Sequence, residues 1–201
     1  MTTTDVDGTT PHDSPAQAVP ASAVQGLLTR LREDAAIAWQ QALYCSIGGS
    51  PWLPRVVRRL VFGLAGASVQ SAPGVKFVFA GKARHLTVGR GVYMNRGVFI
   101  EAIAPVTIGD ECALGMETLI LTSHHPIDDQ GRWGAETGRP VTIGDRVWIG
   151  ARATILPGAV LDSDVVIAAG AVVSGHARSG GIYGGVPARR IREIGPDAAQ
   201  R

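Results

Sequence analysis

Residues 141–161 read Val141-Thr-Ile-Gly-Asp-Arg-Val-Trp-Ile-Gly-Ala-Arg-Ala-Thr-Ile-Leu-Pro-Gly-Ala-Val-Leu161. Aliphatic residues stand six apart at Ile143, Ile149, Ile155 and Leu161, and the spacing continues through Ile167 and Val173. Upstream the same beat runs through Val88, Met94 and Ile100, then Ile108, Leu114 and Ile120. A second column of small residues follows four places later, at Val92, Val98, Cys112, Thr118, Val147, Ala153, Ala159, Val165, Ala171 and Ala177; His124 alone breaks it. An α-helix repeats every 3.6 residues and a strand every 2, so neither produces six. A period of six with two inward positions describes one short strand and one turn per unit. Three units close a triangular coil, and coils stack at the parallel-strand spacing of roughly 4.8 Å. Twelve such positions make about four coils, enough to bury a continuous core. The fold class is all-β, a parallel β-helix, with glycine at the turns.

Composition agrees. The chain has 201 residues, 45% hydrophobic but 5% aromatic, with 26 glycines, so its core is built from aliphatic and small side chains. A formal charge of +2 with interspersed signs is no nucleic-acid footprint, which needs basic residues gathered on one face. Cys45 and Cys112 fit no metal or disulfide spacing and read as free thiols of a reducing cytoplasm. The first residues carry neither a basic start nor an apolar run, and no stretch approaches the ~20 apolar residues of a membrane helix. The expected location is cytoplasmic, without membrane contact.

Working outward, residues 1–20, which include His12, read as a disordered tail rich in Thr, Pro, Ala and Ser. Residues 21–70 read as a helical segment. Its first helix has apolar positions at Val24, Leu27, Leu28, Leu31 and Ala35, and Gly48, Gly49 and Pro51 stop it. A second helix spans Pro54 to about Leu64 and carries Arg55, Arg58 and Arg59 on its polar face, read as docked on the domain with that face in solvent. The β-helix occupies 71–194, its hexads clear from residue 86, ending in a C-terminal helix; a tail covers 195–201. The rhythm breaks twice: two extra residues fall at Ala104-Pro105, and Thr122–Pro140 leaves the register altogether. A loop thrown from a rigid stack is where function is expected.

Several stretches resemble the hexapeptide-repeat acyltransferases, in particular the maltose, galactoside and nodulation O-acetyltransferases. They are Gly-Val-Tyr-Met-Asn at 91–95, Ala-Pro-Val-Thr-Ile-Gly-Asp at 104–110, His-Pro-Ile-Asp at 125–128, Gly-Arg-Pro-Val-Thr-Ile-Gly-Asp-Arg-Val-Trp-Ile-Gly at 138–150, Ile-Leu-Pro-Gly at 155–158 and Gly-Gly-Val-Pro-Ala-Arg-Arg-Ile-Arg at 184–192. The resemblance covers residues 86–194 and implies a left-handed coil, a homotrimer with active sites between subunits, and acetyl-CoA as acetyl donor to a sugar hydroxyl. Residues 1–60 lack the acidic-aromatic opening of those enzymes, and that segment helps to hold the acceptor.

Moving an acetyl group from a thioester to a hydroxyl needs a base, donors for an oxyanion and a coenzyme A site. Imidazole, with an ordinary pKa of about 6.5, suits the first role. His125 matches the histidine of the resembled His-Pro motif and stands as general base, with His124 as the alternative or as an acceptor-side neighbour. Glu136 matches a family glutamate and either orients the base or forms a plain loop ion pair. Asn95 matches an acceptor-contacting asparagine, against an Asn chosen only for turn geometry. The resemblance further implies an oxyanion donor in the Ala151 N–H, a cofactor wall in Trp148, pantetheine contacts at Ala169 and Ser174, and phosphate contacts at Arg189 and Arg192. No nucleophile is evident, which favours direct transfer without an acyl-enzyme. His85 and His176 read as structural, and no metal is expected.

Three rival readings remain. A γ-type carbonic anhydrase shares the coil but needs three zinc-binding histidines, whereas the adjacent His124 and His125 point oppositely on extended chain. A non-catalytic coil would have no use for the His-Pro and basic terminal motifs. An amine on an amino sugar or antibiotic could replace the hydroxyl.

Overall fold

The computed structural model describes residues 21–195, so the two terminal tails, and His12 with them, lie outside the described residues. Among the described residues, 21–37 form a unit of their own, the larger part of helix α1 (Ala21–Gln41), with Leu28 and Leu31 exposed. From Ala38 onward the chain forms one body. It passes through a wide helical turn, Ala42–Ile47, and helix α2 (Arg55–Leu64) into a left-handed parallel β-helix.

The coil has three walls, met in the order I, II, III. Wall I stacks Ser68–Val69, Leu86–Val88, Val106–Ile108, Val141–Ile143, Val160–Leu161 and His176–Ala177. Wall II stacks Tyr93–Met94, Ala113–Leu114, Trp148–Ile149, Val166–Ile167 and Gly181–Gly184. Wall III stacks Val78–Gly81, Phe99–Ala102, Leu119–Ile120, Thr154–Ile155 and Val172–Val173. The register follows the six-residue beat: Ile108 pairs with Ile143 and Ile143 with Leu161, Leu114 with Ile149 and Ile149 with Ile167, Ile120 with Ile155 and Ile155 with Val173. All twelve aliphatic positions are buried, none more than 5% exposed.

The coil opens earlier than the visible hexads, at Ser68. Its first turns are filled by large rings: Tyr44, Phe62, Phe77 and Phe79 pack with centroids 5.0–6.4 Å apart and close the lower end. Small and aliphatic residues fill a prism whose neighbours above and below are other coils. At an end with no further coil, aromatic rings cover the exposed core, and the six-residue pattern disappears there.

Glycine has two roles, of which the sequence reading recognised one. Gly91 and Gly170 have φ near +70° and permit the left-handed turn. The same turn is made by Glu111, Glu117, Arg146, Arg152 and Asp164, all with φ between 55° and 60°. The glycines that follow the aliphatic column do something else. A Cβ on Gly144 would stand 2.6 Å from the backbone nitrogen of Ser163 in the next coil. One on Gly150 would stand 2.5 Å from that of Ala169. The neighbouring Gly-Asp aspartates are structural as well: Asp110 accepts from the Arg90 N–H and Asp145 from the Asp110 N–H, each at 2.8 Å, tying coil to coil.

The expected C-terminal helix is not there. Arg189–Glu193 is a strand, antiparallel to Gly181–Gly184. The top of wall II offers unpaired backbone groups that a returning strand satisfies.

Gly144→Ala is expected to cost about 1–3 kcal/mol through overlap with Ser163, whereas Gly63→Ala, in open space on α2, stabilises by up to about 1 kcal/mol; urea unfolding of both variants checks the contrast. Hydrogen bonds hold four aspartates below the usual carboxylate range: Asp110 through the Arg90 N–H, Asp128 through the Arg132 N–H, Asp162 through the His176 ring and Asp164 through the Arg146 guanidinium. A lowered folded-state pKa stabilises fully above the unfolded value of about 3.9 and fades as pH falls towards the folded one. Thermal melts are therefore expected to drop steeply below about pH 4, less so in Asp110→Asn.

Candidate active site

Both breaks in the hexad rhythm fall at the same corner, between walls III and I, one directly above the other. Thr122 is the root of the long loop and fully buried. Its hydroxyl donates to the Glu101 carbonyl at 2.9 Å and accepts from the N–H groups of Ile103 and Ala104 at 3.0 and 3.1 Å. The Glu101 carboxylate accepts from the Ser123 N–H at 3.0 Å. The lower bulge therefore serves as the socket of the upper loop.

The loop is a hairpin. Ser123–His124 pairs antiparallel with Thr137–Gly138, Ile127 bridges to Trp133, and Asp128 closes the tip by accepting from the backbone N–H groups of Gln130 and Arg132 and from the Arg132 side chain, each at 2.9 Å. His125 lies on its first arm. Its Nδ1 is 3.1 Å from the Gly134 carbonyl oxygen, and its ring meets Trp133 edge-on with centroids 5.6 Å apart. A carbonyl oxygen only accepts, so Nδ1 carries the hydrogen and the neutral ring presents its lone pair at Nε2. His125 is exposed and His124 half-buried.

Glu136 is exposed on the returning arm and makes no side-chain hydrogen bond or ion pair among the described residues; the Gly134 carbonyl orients the His125 ring instead. Asn95 stands at the corner between walls II and III, where its side-chain oxygen accepts from the Arg96 N–H at 2.7 Å. Ala151 and Ala169 occupy the same corner in successive higher coils, and neither N–H donates to an acceptor among the described residues. Trp148 projects from wall II, 57% exposed, between Ala113 below and Val166 above. Ser174 and Arg189 line a small pocket of about 200 Å³ at the top of the coil, while Arg192 pairs with Ile182 on the added strand. Within one chain, then, His125 and the Asn95–Ala151–Ala169 corner lie on opposite edges of wall III.

Neither cysteine is poised to attack. Cys112 is buried, donates to the Gly144 carbonyl at 3.0 Å, and burial pushes its thiol pKa up; Cys45 faces the Phe79 carbonyl at 3.7 Å. No three of His, Cys, Asp and Glu gather among the described residues as a metal site would require. His85 Nδ1 donates to the Ala102 carbonyl and His176 meets Asp162 at 2.8 Å, both as braces between neighbouring turns of the coil.

Residues 140–175 match the family model described as bacterial transferase hexapeptide (six repeats). A protein of Dictyostelium discoideum named as an acetyltransferase is 36% identical over 139 residues, 69% of this chain and 72% of that one. The chain belongs to the hexapeptide-repeat acetyltransferases. The galactoside O-acetyltransferase of Escherichia coli is 32% identical over 135 residues, covering 67% of this chain and 65% of that protein. A hexapeptide-repeat acetyltransferase of Vibrio cholerae, solved with acetyl-CoA, superposes with a TM-score of 0.69 at 25% identity, over 81% of this chain and 88% of that one.

Against other hexapeptide-repeat acetyltransferases the loop motif is read from sequence at once, but its supports are not. The Gly134 carbonyl is a backbone group that any residue could present. Thr122 reads in the sequence only as the first residue of the break. The one available signal was that both interruptions lie about one coil apart. Removing the Thr122 hydroxyl leaves two buried N–H groups unpaired. Thr122→Val is expected to cost about 1–3 kcal/mol in chemical denaturation, with limited proteolysis cutting faster between residues 123 and 138.

Proposed function

We propose that this chain is an acetyl-CoA-dependent O-acetyltransferase acting on a hydroxyl of a sugar or glycosylated small molecule, by direct transfer within a homotrimer. The observation that carries the reading is His125: a backbone carbonyl fixes its tautomer and leaves Nε2 free on a loop anchored in the coil. The acceptor hydroxyl oxygen attacks the thioester carbonyl carbon while its proton passes to Nε2. The resulting oxyanion takes the Ala151 N–H, which is unpaired among the described residues. Collapse breaks the carbon–sulfur bond, and the departing thiolate of coenzyme A recovers the proton from the imidazolium. Acetyl ester and free coenzyme A account for every atom.

The division of groups between edges supports the trimer. A base at one edge of wall III and oxyanion and acceptor groups at the other serve one reaction when a neighbouring protomer sets its loop against this chain's Asn95 corner. Asn95 then holds the acceptor, Trp148 flanks the thioester arm, Ala169 and Ser174 contact pantetheine, and Arg189 and Arg192 meet the phosphates of coenzyme A. Glu136, without a side-chain partner among the described residues, takes its role in orienting the base from across the interface. The inert surroundings of both thiols support direct transfer. Among the described residues no helix is long and apolar enough to cross a membrane.

His125→Ala is expected to lower kcat on the order of 10²–10⁴ while acetyl-CoA binding persists, read by thioester release and calorimetry. Mass spectrometry after exposure to acetyl-CoA without acceptor should find Cys45 and Cys112 unmodified; a stoichiometric acetyl-cysteine would overturn direct transfer.

A further inference from the structure

Below the Asn95 corner lies a pocket of about 600 Å³, within the size of small-molecule sites. Its floor is the segment Pro73–Val75, held against the coil because Gly74 has no Cβ: one built there would lie 2.5 Å from the carbonyl oxygens of Met94 and Asn95. One side is α2, which contributes Arg55, Arg58 and Arg59; the other is the turn carrying Asn95 and Arg96. Four guanidinium groups thus line one cavity, and no carboxylate does.

Five arginines elsewhere on the coil and its loop are paired, Arg90 with Asp110, Arg132 with Asp128, Arg146 with Asp164, Arg152 with Glu117 and Arg190 with Glu193, while Arg84, Arg139, Arg178, Arg189 and Arg192 make no ion pair among the described residues. None of the four pocket arginines takes part in an ion pair among the described residues. Arg58 is the decisive one. It is only 6% exposed, its Nη1 donates to the Pro73 carbonyl at 2.8 Å, and its Nε is buried without a partner. Burial, then the like charge of Arg55, presses its pKa down, so the folded chain carries a desolvated cation with no counter-charge. An uncompensated buried charge is unfavourable, and an anion entering the cavity would relieve it.

We infer that the acceptor carries an anionic group, a phosphate or a carboxylate, held by Arg58 with Arg55, Arg59 and Arg96, while Asn95 at the same pocket holds the hydroxyl to be acetylated. This rests on the acetyltransferase reading and narrows its substrate class from neutral sugars to acidic ones. Arginine forks match the oxygen geometry of both groups, and four of them exceed what a neutral sugar can use.

The test compares matched acceptors in the thioester-release assay: galactose 1-phosphate against galactose, and glucuronic acid against glucose. At low salt the acidic member of each pair should show kcat/KM at least tenfold higher, and 0.5 M NaCl should shrink that ratio. Arg55→Ala and Arg59→Ala, both exposed positions, should each lower the ratio threefold or more, while Arg84→Ala, outside the pocket, should not. Arg58 stays intact in these variants because its loss endangers the fold. A ratio of one or less in the wild type, or one that the two variants leave unchanged, overturns the inference. Should no acceptor of either kind be acetylated, the transferase reading fails separately, and calorimetry with pyrophosphate judges the pocket alone. Saturable binding lost in Arg55→Ala/Arg59→Ala supports the anion site, and no binding overturns it.

Discussion

Everything in this molecule depends on how closely one coil lies upon the next. At Gly144 and Gly150 the backbone of the coil above comes within 2.6 Å of where a methyl carbon would sit, so at these corners of walls I and II the coils lie this close because the side chain is absent. That contact sets the spacing, the spacing aligns the aliphatic columns, and the columns make a prism with a dry core. Hydrogen bonds along each wall then pair every strand with its neighbours above and below, and edges remain only at the two ends. Stiffness follows, because no coil can tilt without breaking three ladders at once. A stiff prism can hold a protruding loop at a fixed height, and the loop's own anchor at Thr122 uses the same economy, a single buried hydroxyl satisfying three backbone groups.

The repeat was legible because its physics is periodic. Each aliphatic position from Val88 to Val173 faces the same environment, and each repeats the same residue class. What was not legible is whatever happens once. The opening coils lost the pattern because aromatic rings at Phe62, Phe77 and Phe79 replace the missing coil beneath them. Arg189–Glu193 reads by composition as a basic helix, yet it is a strand, since the open edge of wall II supplies hydrogen-bond partners that propensity cannot anticipate. The turn charges were misleading in a different way. Glu117 and Arg152 look like surface filler, but they take the left-handed conformation that glycine holds in other coils and meet across coils at 2.7 Å. An exposed pair of this kind adds little stability and does not repay the strained turn; the stacked backbone holds it.

The candidate site divides along the same line. Side chains in a motif, such as His125 and Asn95, are proposed from their neighbours in sequence. The backbone groups beside them, the Gly134 carbonyl and the Gly74 close approach, leave no mark in a residue string. Glu136 stands exposed on the returning arm, and within one chain the group that meets the His125 ring is the Gly134 carbonyl.

The helical segment ahead of the coil is where this chain departs from the sugar acetyltransferases it resembles, and the structure gives that departure a physical location. Helix α2 packs beside the lowest coils through Phe62 and leaves its arginines facing the Asn95 turn. A repeat cannot vary there without losing its columns, since every corner position is constrained by the coil above. An added helix is under no such constraint. Selection for a new acceptor would therefore act on α2 and the Pro73–Val75 floor, leaving the prism, the loop and its imidazole unchanged.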